Sequence, residues 1–88
     1  MDNILQKIID GEYVIQPNIQ IARDGGTLAF AIKNSSGQGH MVFLDRRISS
    51  ETKNVFFIDG FPGSEDSVQL GKNDDLVVKV ESALSKIK

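Results

Sequence analysis

The chain is expected to fold as an α+β domain over residues 1–88: a small antiparallel sheet of four to six strands in a meander, with a short N-terminal helix and a C-terminal helix packed on one face. Three observations predict this. Residues 19–32 read as two alternating runs around a paired glycine, residues 2–10 and 74–88 carry apolar residues at helical spacing, and short apolar runs punctuated by turn residues fill the interval between. Sequential strands usually neighbour one another in a sheet, which gives the meander.

Ile4, Leu5, Ile8 and Ile9 share one face of a helix over residues 2–10. Asp2 or Asn3 suits its N-cap, and Gly11 suits a left-handed position just past its end. A helix this short is marginal alone in water, so it must dock. Tyr13-Val14-Ile15 follows as a short strand, interrupted by Pro17-Asn18, because proline lacks the ladder donor and asparagine favours turns.

In IQIARDGGTLAFAIK the paired glycines Gly25-Gly26 have the composition of a two-residue primed turn. That turn would set Asp24 against Thr27, Ala22 against Ala29 and Ile21 against Phe30. One face then carries Ile19, Ile21, Leu28, Phe30 and Ile32, and the other Gln20, Ala22, Ala29 and Ala31. NSSGQGH, residues 34–40, is a loop by composition. MVFL (41–44) and VFFI (55–58) are continuously apolar, so both faces of these strands should be covered. DRRISSETKN between them is a polar excursion, DGFPGSEDS is a turn region, and Ser67 to Leu70 is a short edge strand.

The tail reads as a helix with Leu76, Val77, Val80, Ala83, Leu84 and Ile87 in one stripe, and with a strand reading of residues 77–80 as the alternative. Asp74 and Asp75 at its start and Lys86 and Lys88 at its end match the helix dipole, and Asp75 and Lys79 are spaced to pair.

Composition narrows the function classes. The chain has 88 residues and a formal charge of −2, with ten basic residues scattered and Arg46-Arg47 the only adjacent pair. Nucleic-acid binders usually carry a basic stripe, because their affinity comes from neutralising phosphates. The absence of cysteine removes disulfides, thiolate metal sites and thiol nucleophiles. The apolar runs are too short to span a bilayer and MDNILQKIIDGEY lacks the pattern of a signal peptide, so the expected location is the cytoplasm and no membrane partner is expected.

FFIDGFPGS resembles the strand-end DGFP segment of adenylate kinases and related nucleoside monophosphate kinases, but Gly63 stands where their Arg follows the proline, and the chain contains no G-x-x-x-x-G-K-[ST] loop to wrap phosphates. SGQGH is glycine-rich but leads into a strand, whereas a dinucleotide fingerprint opens a helix. No cofactor is therefore expected. His40, the one histidine, could act as a general base with Asp45 or Asp59, or sketch a triad with Ser35 or Ser36, while a solvated loop histidine is the simpler reading.

ARDGGTL, HMVFLD and VFFIDG resemble, in order, the two motifs of Sm-like RNA-binding proteins, which share a short N-terminal helix before five strands. The resemblance implies that His40 and Arg46 contact RNA. Asp59 occupies the place of that family's RNA-contacting Arg, and AFAIKNSSGQG has no counterpart to its glycine and FD pair.

The expected function is thus a small non-catalytic protein-interaction module (an inhibitor, immunity-type factor, adaptor or subunit of a larger assembly) acting through its sheet face, with an Sm-like or other nucleic-acid binder as the alternative. Partner contacts are expected from Gln20, Ala22, Ala29, Ala31, His40, Arg46 and Arg47, and the partner is another protein or a second copy of the chain in a homodimer. Small side chains on the alanine face would let either one of the chain's own helices or a second chain approach closely.

Overall fold

The computed structural model describes residues 4–22 and 26–85, with side chains for all of these except residues 17–22 and 84. The elements run α1 (Ile4–Ile9), β1 (Tyr13–Ala22), β2 (Thr27–Asn34), β3 (Gly39–Asp45), β4 (Val55–Ile58), β5 (Val68–Lys72) and α2 (Asp74–Ser85). The strands form one five-stranded antiparallel sheet in the order β1-β2-β3-β4-β5, the expected meander.

Helix α1 ends as its composition requires. Gly11 takes φ +89°, its amide donates to the Ile8 carbonyl at 3.2 Å, and the Glu12 amide reaches back to Lys7 at 2.9 Å. This paired closure satisfies carbonyls that the last turn would otherwise leave open. The proposed caps Asp2 and Asn3 lie outside the described residues.

Strand β1 differs from expectation. Tyr13–Ile15 does not stand alone but continues to Ala22, with a register shift between Ile15 (opposite Ile32) and Ile19 (opposite Phe30). Pro17-Asn18 falls in this irregularity, on an edge strand where a missing donor is tolerated. The hairpin register also differs. Ala22 rather than Asp24 pairs with Thr27, Ile21 pairs with Leu28 and Gln20 with Ala29. The expected pairings of Arg23 and Asp24 fall on residues outside the described ones. The offset is two residues, and because side chains alternate with period two an even offset leaves Leu28, Phe30 and Ile32 on their expected face and Ala29 and Ala31 on the other.

The loop expected over residues 34–40 contracts to a tight turn. The Asn34 side-chain oxygen accepts from the amides of Ser36 at 3.1 Å and Gln38 at 2.9 Å, and Gly37 takes φ +87°. Gly39 and His40 are thereby released into β3. β4 occupies the predicted residues, and β5 begins one residue later than predicted and runs to Lys72.

The tail is helical. The Asn73 side chain accepts from the Leu76 amide at 3.0 Å, an N-cap, and Asp74 and Asp75 occupy the first turn. Leu76, Val77 and Val80 are buried, whereas Ile87 and both terminal lysines lie outside the described residues. Lys79 does not pair with Asp75; its Nζ donates to the Ile8 carbonyl at 3.5 Å and joins α2 to α1.

Both helices cover the same face of the sheet. Leu5 and Ile8 from α1 and Leu76, Val77 and Val80 from α2 meet Leu28, Phe30, Ile32, Val42, Leu44 and Phe56 in one core. Phe30 and Phe56 pack edge-on at its centre, with ring centroids 6.5 Å apart.

Candidate interaction face

The alternation that sends Leu28, Phe30 and Ile32 to the helices sends Thr27, Ala29, Ala31 and Lys33 to the opposite side. Ala29, Phe43, Val55 and Phe57 form a second apolar cluster there, and no described side chain of either helix belongs to it. The possibility that one of the chain's own helices packs on the alanines is therefore not realised among the described residues.

Phe61, from the DGFPGS turn, lies over Phe43 with ring centroids 4.6 Å apart and remains 49% exposed. The turn is tightly held: Gly60 packs so closely that an added Cβ would lie 3.0 Å from the Ser67 amide nitrogen, and the Ser64 amide donates to the Phe61 carbonyl at 2.9 Å. Beside Phe43 an open groove of about 510 Å³ runs across β2 and β3. Ala31, Met41 and Phe43 supply apolar lining, and Met41 is 39% exposed. Lys33, His40 and Asp59 supply its charged and titratable groups.

His40 is a strand residue, not the solvated loop histidine of the simpler reading. It is half-buried, its ring stands edge-on to Tyr13 at 5.9 Å, and its Nδ1 lies 3.4 Å from Asp59 Oδ1. Asp59 reaches it by turning the chain at φ +66°, a left-handed conformation that aspartate tolerates better than most residues, while its amide donates to the Met41 carbonyl at 3.0 Å. Asp45, the other acid considered for His40, lies at the far end of β3, and Ser35 and Ser36 lie in the β2–β3 turn, outside the groove lining.

Arg46 and Arg47 leave the sheet just past β3 and are both engaged within the chain. Arg46 Nη2 lies 3.3 Å from Glu81 on α2. Arg47 donates from Nε and Nη2 to the two oxygens of Asp45, at 3.0 and 2.8 Å. Asp45 is fully buried and also accepts from Ser50 at 2.8 Å and Thr52 at 2.6 Å. The Arg47 side chain, followed by Thr52, the Arg47 amide and Ser50, holds its carboxyl well below the usual range against the opposing effect of burial. His40 and Arg46 stand at opposite ends of β3, roughly 20 Å apart at the rise of a strand.

Of the expected contact residues, Ala29 and Ala31 lie on the helix-free face, whereas His40, opposite Ile32 and edge-on to Tyr13, turns its ring to the helix-covered side. Arg46 and Arg47 belong to a different part of the fold, and the side chains of Gln20 and Ala22 lie outside the described residues. Sequence reasoning missed Met41, Phe61 and Lys33. A large aromatic set between Gly60 and Pro62 was the available signal for Phe61, since turns seldom need one. Among the described residues no cluster of three or more metal-ligating side chains occurs, and no helix is long and apolar enough to cross a membrane. Comparison of the chain with protein-family models, with curated proteins and with solved structures finds no match.

Proposed function

We infer that the chain is a non-catalytic interaction module that docks another protein chain, of its own or a different kind, on the helix-free face of its sheet. One observation carries this reading: both helices cover one face, while on the other Met41 stands exposed in the apolar groove and Phe61 stands exposed on Phe43 beside it. The sheet edges are poorer docking sites. β1 carries Pro17 within its register shift, and β5 is a five-residue strand with a register irregularity opposite Phe56 and Phe57 and a lysine at its end. Among the described residues the groove lining contains no serine, threonine or cysteine, which favours binding over nucleophilic catalysis by the His40–Asp59 pair.

A photo-crosslinking residue at Met41 tests the reading, with Val78, 65% exposed on α2, as the control. Crosslinks to protein from Met41 and none from Val78 are expected. Equal yields from both, or none from either, would remove the reading.

The nucleic-acid alternative draws support from the element order, a short helix before five strands. Against it, the two residues that it would use lie at opposite ends of β3, His40 sits beside a carboxylate, and Arg46 is paired with Glu81. Retention of labelled RNA that falls steeply with salt would favour it.

A further inference from the structure

We propose that the docked chain is a segment of a different protein that carries a carboxylate among apolar residues, with the carboxylate meeting Lys33 and the apolar side chains lying on Val14, Met41 and Phe61. This rests on the docking face inferred above and adds the chemistry of its occupant.

Register places these residues in one row across the sheet. Val14 of β1 stands opposite Lys33 of β2, and Ala31 of β2 stands opposite Met41 of β3. Tyr13 and Ile15 pack in the helix-covered core, so Val14 between them points to the free face. Phe61 closes the row beside Met41, on the ring of Phe43. Three large apolar side chains thus stand out along it: Val14 is 58% exposed, Met41 39% and Phe61 49%. From β1 to β4 is three strand spacings, about 14 Å, the reach of about four extended residues.

The row presents an exposed cation and no exposed acid. Lys33 is exposed and makes no ion pair among the described residues. Asp59 bonds the Met41 carbonyl through its amide, but its φ of +66° turns the carboxylate onto His40, toward the helix-covered side. Asp45, the acid that β3 itself sends to the free face, is fully buried and held by Arg47. Glu12 lies beyond Val14, at the rim, and no ion pair joins it to Lys33.

A chain with a formal charge of −2 therefore sets a lysine, free of any acid, within its apolar row. Covering that row leaves the lysine desolvated unless the occupant brings a carboxylate to it. A second copy supplies no acid from the same row. A nucleic acid, whose affinity grows with the number of phosphates neutralised, would find one cation among three apolar side chains.

Selection of a displayed random-peptide library on the folded chain tests this. A photo-crosslinking residue at Met41 or at Val78 locates each selected peptide, and circular dichroism confirms that every variant folds. Enrichment of peptides with aspartate or glutamate among apolar residues is expected, with crosslinks from Met41 and none from Val78. Lys33→Glu is expected to weaken these peptides about tenfold, and replacing their acid with lysine is expected to restore binding to that variant. Indifference to Lys33→Glu, or selected peptides that lack an acid yet crosslink from Met41, overturns the carboxylate partner and leaves the docking face standing. Crosslinks from Met41 to a second copy of the chain in place of any peptide do the same. Peptides that crosslink equally from both sites, or no enrichment at all, overturn the face and this proposal together. A single-stranded RNA probe that crosslinks from Met41 and is released steeply by salt, where no peptide crosslinks, assigns the row to nucleic acid and also overturns both.

Discussion

Asp45 and Arg47, two residues apart at the end of β3, form a two-point ion pair in which the carboxylate is fully buried and the guanidinium side chain is 44% exposed. Arg47, Ser50 and Thr52 come from the chain that follows β3, so this acid organises the β3–β4 connection around itself. Asp45→Asn keeps the shape and removes the charge. Loss of these charge-assisted bonds is expected to cost about 2 kcal/mol in urea unfolding near neutral pH.

The same pair sets a pH dependence. The folded carboxyl titrates below its unfolded value, about 3.9 for a free aspartate. The unfolded chain therefore binds the proton first as pH falls. The stabilisation is complete above about pH 5 and shrinks progressively below about pH 4. Unfolding curves at a series of pH values are expected to show wild type and Asp45→Asn converging toward acid. Parallel curves throughout would mean that the carboxylate is not held in its charged form by folding.

Gly11 isolates a backbone effect. It takes φ +89°, and an added Cβ would meet nothing within 4 Å, so substitution strains the conformation without a clash. Gly11→Ala is expected to cost about 1 kcal/mol, and Gly11→Asn less, because asparagine enters the left-handed region more readily. Equal costs for the two variants in thermal unfolding would argue against this closure of α1.

Phe56 is fully buried beneath both helices and packs edge-on with Phe30. Phe56→Ala is expected to cost about 3–5 kcal/mol. Domains of this size hold on the order of 5–10 kcal/mol in total, so the variant should lose about half of its stability, as a large fall in the urea midpoint would show.

What the sequence conveyed about this fold followed from periodicity. The stripe Leu76, Val77 and Val80 and the alternation from Leu28 to Ile32 identify helix and strand faces without knowledge of any partner, and the two-residue error in the hairpin left those faces intact because it was even. The His40–Asp59 contact was harder to read. It joins residues 19 apart through the register of β3 with β4, and both runs are apolar at every position, so no alternation distinguishes one register from the next. The arginine pair misled for a related reason. Adjacent charges suggest a surface, but whether each has an internal partner depends on where Asp45 is buried and where Glu81 on α2 arrives, neither of which local pattern encodes.

Phe61 separates a docking role from a packing role. Its ring lies on Phe43 but leaves 49% of the residue exposed, so Phe61→Ala forfeits one aromatic contact, worth about 1 kcal/mol, and little buried surface. If Phe61 belongs to a docking face, the same substitution should reduce crosslinking from Met41 at least tenfold while the unfolding midpoint scarcely moves. Ile48, 87% exposed in the β3–β4 connection, is the matched control: Ile48→Ala removes a comparably exposed apolar group from another part of the surface and should change neither. If Phe61→Ala instead lowered stability by about 3 kcal/mol, as a core truncation does, and left crosslinking untouched, Phe61 would be a cover for Phe43 and the docking face would have to exclude this turn.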